Sequence, residues 1–327
     1  IDENGNALSG GQLSTRLRGS FTLNKHAKAG FWRTPQIKIT DAVGNERFEG
    51  ANDFGWKLYI NNPLEDVTAP EYVKNTAVLS QSVTTIEEQD VQVIHATWQV
   101  NEAGMMADSS PCYASMNDEI LSTYRVEEYG NYHQETARCS VDFIMPNYMP
   151  SSTYSMNFIK MKDSALNTRG VYFTNTEGGL RAEDINLDEE PQHIALVTTQ
   201  SDVERPELDL NELQISAIPT NPEAPNGETV VTITFKVRDN ISGYNIASLN
   251  LRDPQGINHH YWVYNADTWT LFPTDDPTQW HTYTRNIVLP VGSAPGTWGL
   301  SEMTLYDRAG NFNGYDFTEI VHFDVSE

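Results

Sequence analysis

Three stretches of the chain lie over one another without a gap: "FTLNKHAKAGFWRTPQIKITDAVGN" (21–45), "FIMPNYMPSSTYSMNFIKMKDSALN" (143–167) and "IVLPVGSAPGTWGLSEMTLYDRAGN" (287–311). Trp32, Tyr154 and Trp298 share one column. Asp41, Asp163 and Asp307 follow nine residues later, and Asn45, Asn167 and Asn311 close each run. Gly44 and Gly310 precede the asparagine in the outer copies, and Leu166 stands there in the middle one. An ungapped repeat of this length requires one local structure made three times. Phe21/Leu23, Phe143/Met145 and Ile287/Leu289 precede the aromatic, and Ile37/Ile39, Ile159/Met161 and Met303/Leu305 follow it at alternate positions. Side chains of a strand point to opposite faces in turn, so this spacing is a half-buried strand and not a helix.

The upstream half repeats twice. "TAPE" (68–71) matches "ERPE" (204–207), and "VIHATWQVNE" (93–102) matches "TITFKVRD" (232–239). Ile94, Ala96, Trp98 and Val100 make one apolar face; Ile233, Phe235 and Val237 make the other. Almost no segment has helical periodicity, and turn-forming runs such as "NPEAPNGE" (221–228) and "DPQG" (253–256) punctuate short strands. The expected fold is all-β: tandem antiparallel β-sandwiches over 67–202 and 203–327, preceded by an incomplete one over 1–66 that holds only the last strands of such a unit. The chain begins at Ile1 with neither initiator Met nor signal peptide, so a mature or excised piece of something longer is expected. The partial first unit would then be completed by a preceding segment, by another chain, or by packing on its neighbour.

The chain carries 21 basic against 45 acidic residues, a net charge of −24. This argues against nucleic acid and anionic membrane as partners. No run of apolar residues is long enough to span a bilayer. The sequence has no HExxH, no GxSxG and no phosphate-cradling glycine loop, so a non-enzymatic role is expected. Cys112 and Cys139 are the only cysteines. Two cannot build a zinc site; a single disulfide fits a secreted protein, with two buried thiols as the alternative.

These features resemble the tandem immunoglobulin-like repeats of bacterial secreted and surface proteins. Such units open on a T-A-P phrase, carry a D-x-S-G turn after the second strand, and close on an aromatic followed by D-x-A-G-N. "TAPE" (68–71), "DNISG" (239–243) and "DRAGN" (307–311) match; the middle unit departs, with Glu102-Ala103-Gly104 at the turn and Leu166 in the glycine place. The resemblance implies an extracellular location and a structural or adhesive array, with neighbouring repeats or subunits as partners. It also allows accessory modules of a secreted hydrolase, or a surface filament completed by the next chain.

In a sandwich of this kind the loop after the second strand, the last hairpin and the incoming linker lie at one end. That would gather Asp202, Glu204, Asp239, Asn240, Asp307 and Asn311 at one junction, and the linker acids Glu65 and Asp66 with Glu102, Asp163 and Asn167 at the other. Calcium takes six to eight hard oxygens from such groups and would stiffen a junction. The competing reading is plain turn chemistry, since Asp accepts backbone N–H bonds and Gly takes the left-handed position.

"HHYWVYNADTWTLFPTDDPTQWHTY" (259–283) is dense in aromatics. Tyr261, Trp262, Trp269 and Trp280 are candidates for stacking on carbohydrate; an added hairpin packed on the sheet is the plainer expectation. "GGLRAEDINLDEEPQH" (178–193) is read as a solvated acidic insertion, with a calcium loop lacking EF-hand spacing as the alternative.

Overall fold

The computed structural model describes residues 20, 22–33, 36–40, 46–50, 57–118, 125–173, 185–186 and 189–326. Among these there is no helix, so none is long and apolar enough to cross a membrane. The chain is all-β, built from antiparallel sheets that pack as sandwiches.

The first segment holds two short strand pairs: β1 (Gly30–Trp32) with β4 (Leu58–Ile60), and β2 (Gln36–Thr40) with β3 (Glu46–Gly50). Asp41, Gly44 and Asn45 lie outside the described residues, as does the stretch 1–19.

The second segment contains β5 (Glu71–Tyr72), β6 (Val78–Ile86), β7 (Gln89–Asn101), β8 (Cys112–Asp118), β9 (Arg125–His133), β10 (Arg138–Met145), β11 (Ser152–Lys162), β12 (Thr168–Tyr172), β13 (Ile185–Asn186) and β14 (Gln192–Leu196). β7 is flanked by β5, β6 and β10, and β11 by β8, β12 and β14. β9 pairs with β8 along its first half and with β10 along its second, joining the two layers.

The third segment contains β15 (Glu207–Leu208), β16 (Gln214–Pro219), β17 (Thr229–Arg238), β18 (Tyr244–Arg252), β19 (Asn258–Tyr264), β20 (His281–Leu289), β21 (Gly296–Asp307) and β22 (Phe312–Val325). It forms two four-stranded sheets, β15/β16–β17–β20 and β19–β18–β21–β22. Among the described residues the pairings match the second segment from β5 and β15 through β11 and β21, except that β9 also pairs with β10 whereas β19 pairs only with β18. The single long β22 corresponds to β12 and β14 together. The acidic insertion divides that last strand, and the part that is described returns as β13, parallel to β12.

Alternation sets the cores. Ile94, Ala96, Trp98 and Val100 on β7 and Val231, Ile233, Phe235 and Val237 on β17 are all buried, while the residues between them are only partly so. Tyr154 on β11 and Trp298 on β21 are buried at equivalent places. Each donates from its polar tip to the carbonyl four residues upstream, Tyr154 to Pro150 (3.1 Å) and Trp298 to Ala294 (2.8 Å). Trp32 makes the same bond to Lys28 (2.7 Å), although it is only half-buried among the described residues. The turn before each aromatic also repeats: the amides of Ala27, Met149 and Ser293 donate to the carbonyls of Asn24, Pro146 and Pro290. The repeat is therefore conformational as well as alphabetical.

Cys112 and Cys139 form a disulfide that ties β8 to β10. In the third segment Tyr283 stands opposite Phe235, as Cys139 stands opposite Trp98. There the Phe235, Tyr244 and Tyr283 rings fill the space with centroids 4.5–6.2 Å apart.

Candidate metal centres

Asp202 lies in the linker before β15, Asp239 just after β17, and Asp307 at the end of β21. The topology brings all three together, with one carboxylate oxygen from each within 4.8 Å of the others. The same three positions of the second segment, Asp66, Glu102 and Asp163, form a second triad to the same criterion of distance. Each triad is drawn from one of the groupings expected from the repeat, without Glu204 or Glu65.

Each triad is held by the same hydrogen bonds. Asn311 donates its backbone N–H to Asp307 Oδ1 (2.8 Å), its side-chain amide to Asp307 Oδ2 (2.9 Å) and, at 3.4 Å, to the carbonyl of Asp202. Asn167 repeats this on Asp163 (2.8 and 2.8 Å) and on the carbonyl of Asp66 (3.1 Å). The linker acids accept from the amide two residues on, Asp202 from Glu204 (3.1 Å) and Asp66 from Thr68 (3.0 Å). The post-strand acids fold their own turns: Asp239 Oδ2 accepts from Gly243 N (2.7 Å), and Glu102 Oε1 from Gly104 N (2.6 Å). A Cβ at Gly104 would stand 3.1 Å from both Asp66 Oδ2 and Glu102 Oε1, so any larger residue there would crowd two acids of the triad.

Turn chemistry is thus present, and it does not exhaust the carboxylates. Asp239 is 4% exposed and its Oδ1 has no hydrogen-bond partner; Asn240 Oδ1, beside it, is likewise buried and unpartnered. A buried carboxylate oxygen without a partner costs several times what a hydrogen bond contributes. Among the described residues no Lys, Arg or His pairs with any of the six acids. Arg308, next to Asp307, turns away to Asp267 (2.5 Å) and to the carbonyl of Tyr244 (2.8 Å). Like charges at this separation repel by on the order of 3 kcal/mol per pair at an effective dielectric near 20.

The electrostatics respond accordingly. Burial, and then the charges of Asp202 and Asp239, push the Asp307 carboxyl up to about 9. Burial raises Asp202 to about 6, with the Asp239 charge adding to it and hydrogen bonds from Ser242 opposing. In the first triad Glu102 and Asp163 are also raised, by burial first and by neighbouring acids second. The triad of the third segment is wholly buried, whereas Asp66 and Glu102 are only half-buried.

The candidate ligand atoms are all carboxylate oxygens, with neither His nor Cys among them. This suits a hard divalent cation and not zinc or copper. Glu204, the fourth acid expected at the second junction, lines a polar pocket with Asp239, Asn240 and Arg238 rather than joining the triad. Glu65 is spent on the amide of Ala29 (2.7 Å). Leu166 takes the left-handed conformation, φ 72°, that Gly310 takes at 91°. The bend is therefore the same in both copies, and the leucine does not separate the oxygens from the bend.

The aromatic candidates divide. Tyr261 is half-buried against the core of the third segment, and Trp280 lies under the Arg238 guanidinium (4.7 Å). Trp262, Trp269 and Trp280 are all exposed, Trp269 the most. Residues 258–264 are a full member of the sheet, not an added hairpin, because each of them is in register with a residue of β18.

One constellation has no signature in the sequence. On β6, β7 and β10, Ser82 Oγ lies 2.6 Å from His95 Nε2, and His95 Nδ1 lies 2.8 Å from Asp142. The three sit on an open sheet face. Backbone amides there lie in the plane of the sheet and pair with neighbouring strands, so none is aimed at an oxyanion above it. These are cross-strand surface contacts.

No protein-family model and no curated protein matches the chain.

Proposed function

We propose that the chain is a non-catalytic segment of an extracellular array of immunoglobulin-like repeats whose junctions are stiffened by calcium. The observation that carries this reading is the pair of equivalent acid triads, each drawing one member from the linker and two from the unit that follows. A cation held so fastens the linker to the end of the next unit.

The surroundings support a mechanical role. Asp202 N donates to the Tyr148 carbonyl (2.9 Å) and Asp66 N to that of His26 (3.1 Å), so each linker acid is anchored on the preceding unit as well. At the second junction Ile241, Leu271, Phe272 and Ala309 pack against the core of the unit before, and Tyr148 Oη donates to the Leu271 carbonyl (2.7 Å). At the first, Asn24 donates to the Ser164 carbonyl (2.5 Å). The disulfide fits an oxidising compartment, and the acidic surface suits a medium rich in salt and divalent cations.

Titration calorimetry with calcium on the chelator-stripped chain tests the reading. Two sites are expected, the tighter removed by Asp307→Asn and the weaker by Asp163→Asn. Saturation at a hundred times the dissociation constant adds about 2.7 kcal/mol to the stability of the state that binds. A melting midpoint that is the same in EDTA and in excess calcium would sink the metal part of the reading.

A further inference from the structure

Across the outer face of the β19–β18–β21–β22 sheet the registers align three rows of side chains. Tyr264, Ile246, Tyr306 and Phe312 form one; Trp262, Ser248, Thr304 and Gly314 the next; His260, Asn250, Glu302 and Asp316 the third. All three rows cross the four strands, and the bulges of β18 and β21 fall outside them. The middle row is a trough of small residues with the Trp262 ring at one end. The first row is a wall of three rings broken by Ile246, with Tyr306 centred 6.3 Å from Trp262 and 5.9 Å from Phe312. Trp269, 87% exposed, stacks on Tyr264 (5.9 Å, 23°) and lengthens that wall. The third row is a hydrogen-bonded chain, His260 to Asn250 (3.1 Å) and Asn250 to Glu302 (2.9 Å).

We propose that this face binds a neutral polysaccharide chain lying in the trough, its sugar faces on the aromatic row and its hydroxyls on the polar row. Aromatic faces beside a line of donors and acceptors complement an apolar ring face edged with hydroxyls. Strands stand about 4.8 Å apart, so four of them give room for an oligosaccharide rather than one ring. The charges select against acidic polymers. Glu302 and Asp316 border the trough, the chain carries −24, and the Arg205 guanidinium is committed over Phe312 (6.0 Å). A peptide strand added to the sheet would pair with backbone at an edge, and these rows run across the middle. The same sheet of the preceding unit differs. Tyr129, Tyr113, Phe158 and Tyr172 press ring on ring, Lys160 covers Tyr113, and Tyr129 alone of the four is exposed.

Affinity electrophoresis of the intact chain through gels containing galactomannan, xyloglucan or hydroxyethylcellulose, with alginate as the acidic control, tests the proposal. Retardation is expected in at least one neutral gel and not in alginate. Trp262→Ala and Tyr264→Ala, both at exposed positions, should each weaken it by roughly tenfold. Trp280→Ala, on the opposite sheet's margin, should leave it unchanged. Running each gel with calcium and with EDTA separates this face from the cation sites, since a chain that binds no calcium still carries the rows. Free migration in all three neutral gels overturns the proposal, as does retardation in alginate alone or undiminished binding by Trp262→Ala. Self-association in sedimentation that Trp262→Ala abolishes would assign the face to a second copy and overturn it too.

Discussion

Asn311 clamps Asp307 at both carboxylate oxygens, backbone N–H to Oδ1 and side-chain amide to Oδ2, at 2.8 and 2.9 Å. The backbone bond closes the turn and survives any substitution that keeps the bend; the side-chain bonds do not. Asn311→Ala should therefore cost about 1–3 kcal/mol, the value of a buried hydrogen bond to a charged group. It should also weaken calcium binding by roughly tenfold or more, because partners that orient a ligand carry that much of the affinity. Thermal unfolding in EDTA gives the first quantity and calorimetry the second. Unchanged affinity would mean that Asp307 is oriented by the turn alone.

The pH dependence of the calcium-free chain should have the reverse of the usual sign for carboxylates. Burial and neighbouring charge raise Asp307 to about 9 and Asp202 to about 6, both above the ordinary unfolded value near 4. A group whose folded pKa is raised contributes stability that is complete below the unfolded pKa and is lost as pH rises through the folded one. Urea midpoints in EDTA should therefore fall as pH rises from about 5 to about 9, the span set by the two raised carboxyls. Excess calcium requires the ionised acids and should remove the fall. A flat profile in EDTA would show that the triad ionises freely without a cation.

The legible part of the molecule was what alternation and repetition record. The buried faces of β7 and β17 were readable because every second residue is apolar, and the two triads because three loops share an end of a sandwich. Three things were not readable. Rows across a sheet depend on register, and Trp262, Thr304 and Gly314 are far apart in the chain, so the trough gives no local signal. The roles of Tyr261 and Trp280 turn on which face of the strand or loop each occupies, which aromatic content alone does not state. Leu166 looked like a departure from the glycine rule, yet it adopts the same left-handed backbone at a cost no sequence pattern displays.

That cost is testable. Left-handed backbone is disfavoured for a residue with a Cβ by roughly 1–2 kcal/mol, and glycine gives part of this back through its more disordered unfolded state. Leu166 is exposed and loses little packing on truncation. Leu166→Gly should thus stabilise the second unit by about 1 kcal/mol, and Gly310→Ala should destabilise the third by a similar amount. Equal melting midpoints for Leu166→Gly and the parent chain would show that the leucine side chain holds its turn by contacts that offset the strain.

The disulfide gives the sharpest contrast between the two complete units. Cys112 and Cys139 are 27 residues apart, a loop whose closure contributes about 3 kcal/mol by restricting the unfolded chain. The third unit reaches the same place without a cross-link, by packing Tyr283 against Phe235 and Tyr244 in its core. Reduction, or Cys112→Ala with Cys139→Ala, should therefore destabilise the second unit by about that amount and leave the core of the third untouched. Tyr283→Ala should do the converse, at about 2 kcal/mol, less than a fully buried aromatic costs because Tyr283 is half-buried. Hydrogen exchange on β7 and β17 reads the two cores separately. Equal loss of protection in both after reduction would mean that the units unfold as one body, with the buried contacts of Leu271, Phe272 and Tyr148 transmitting the damage across the junction.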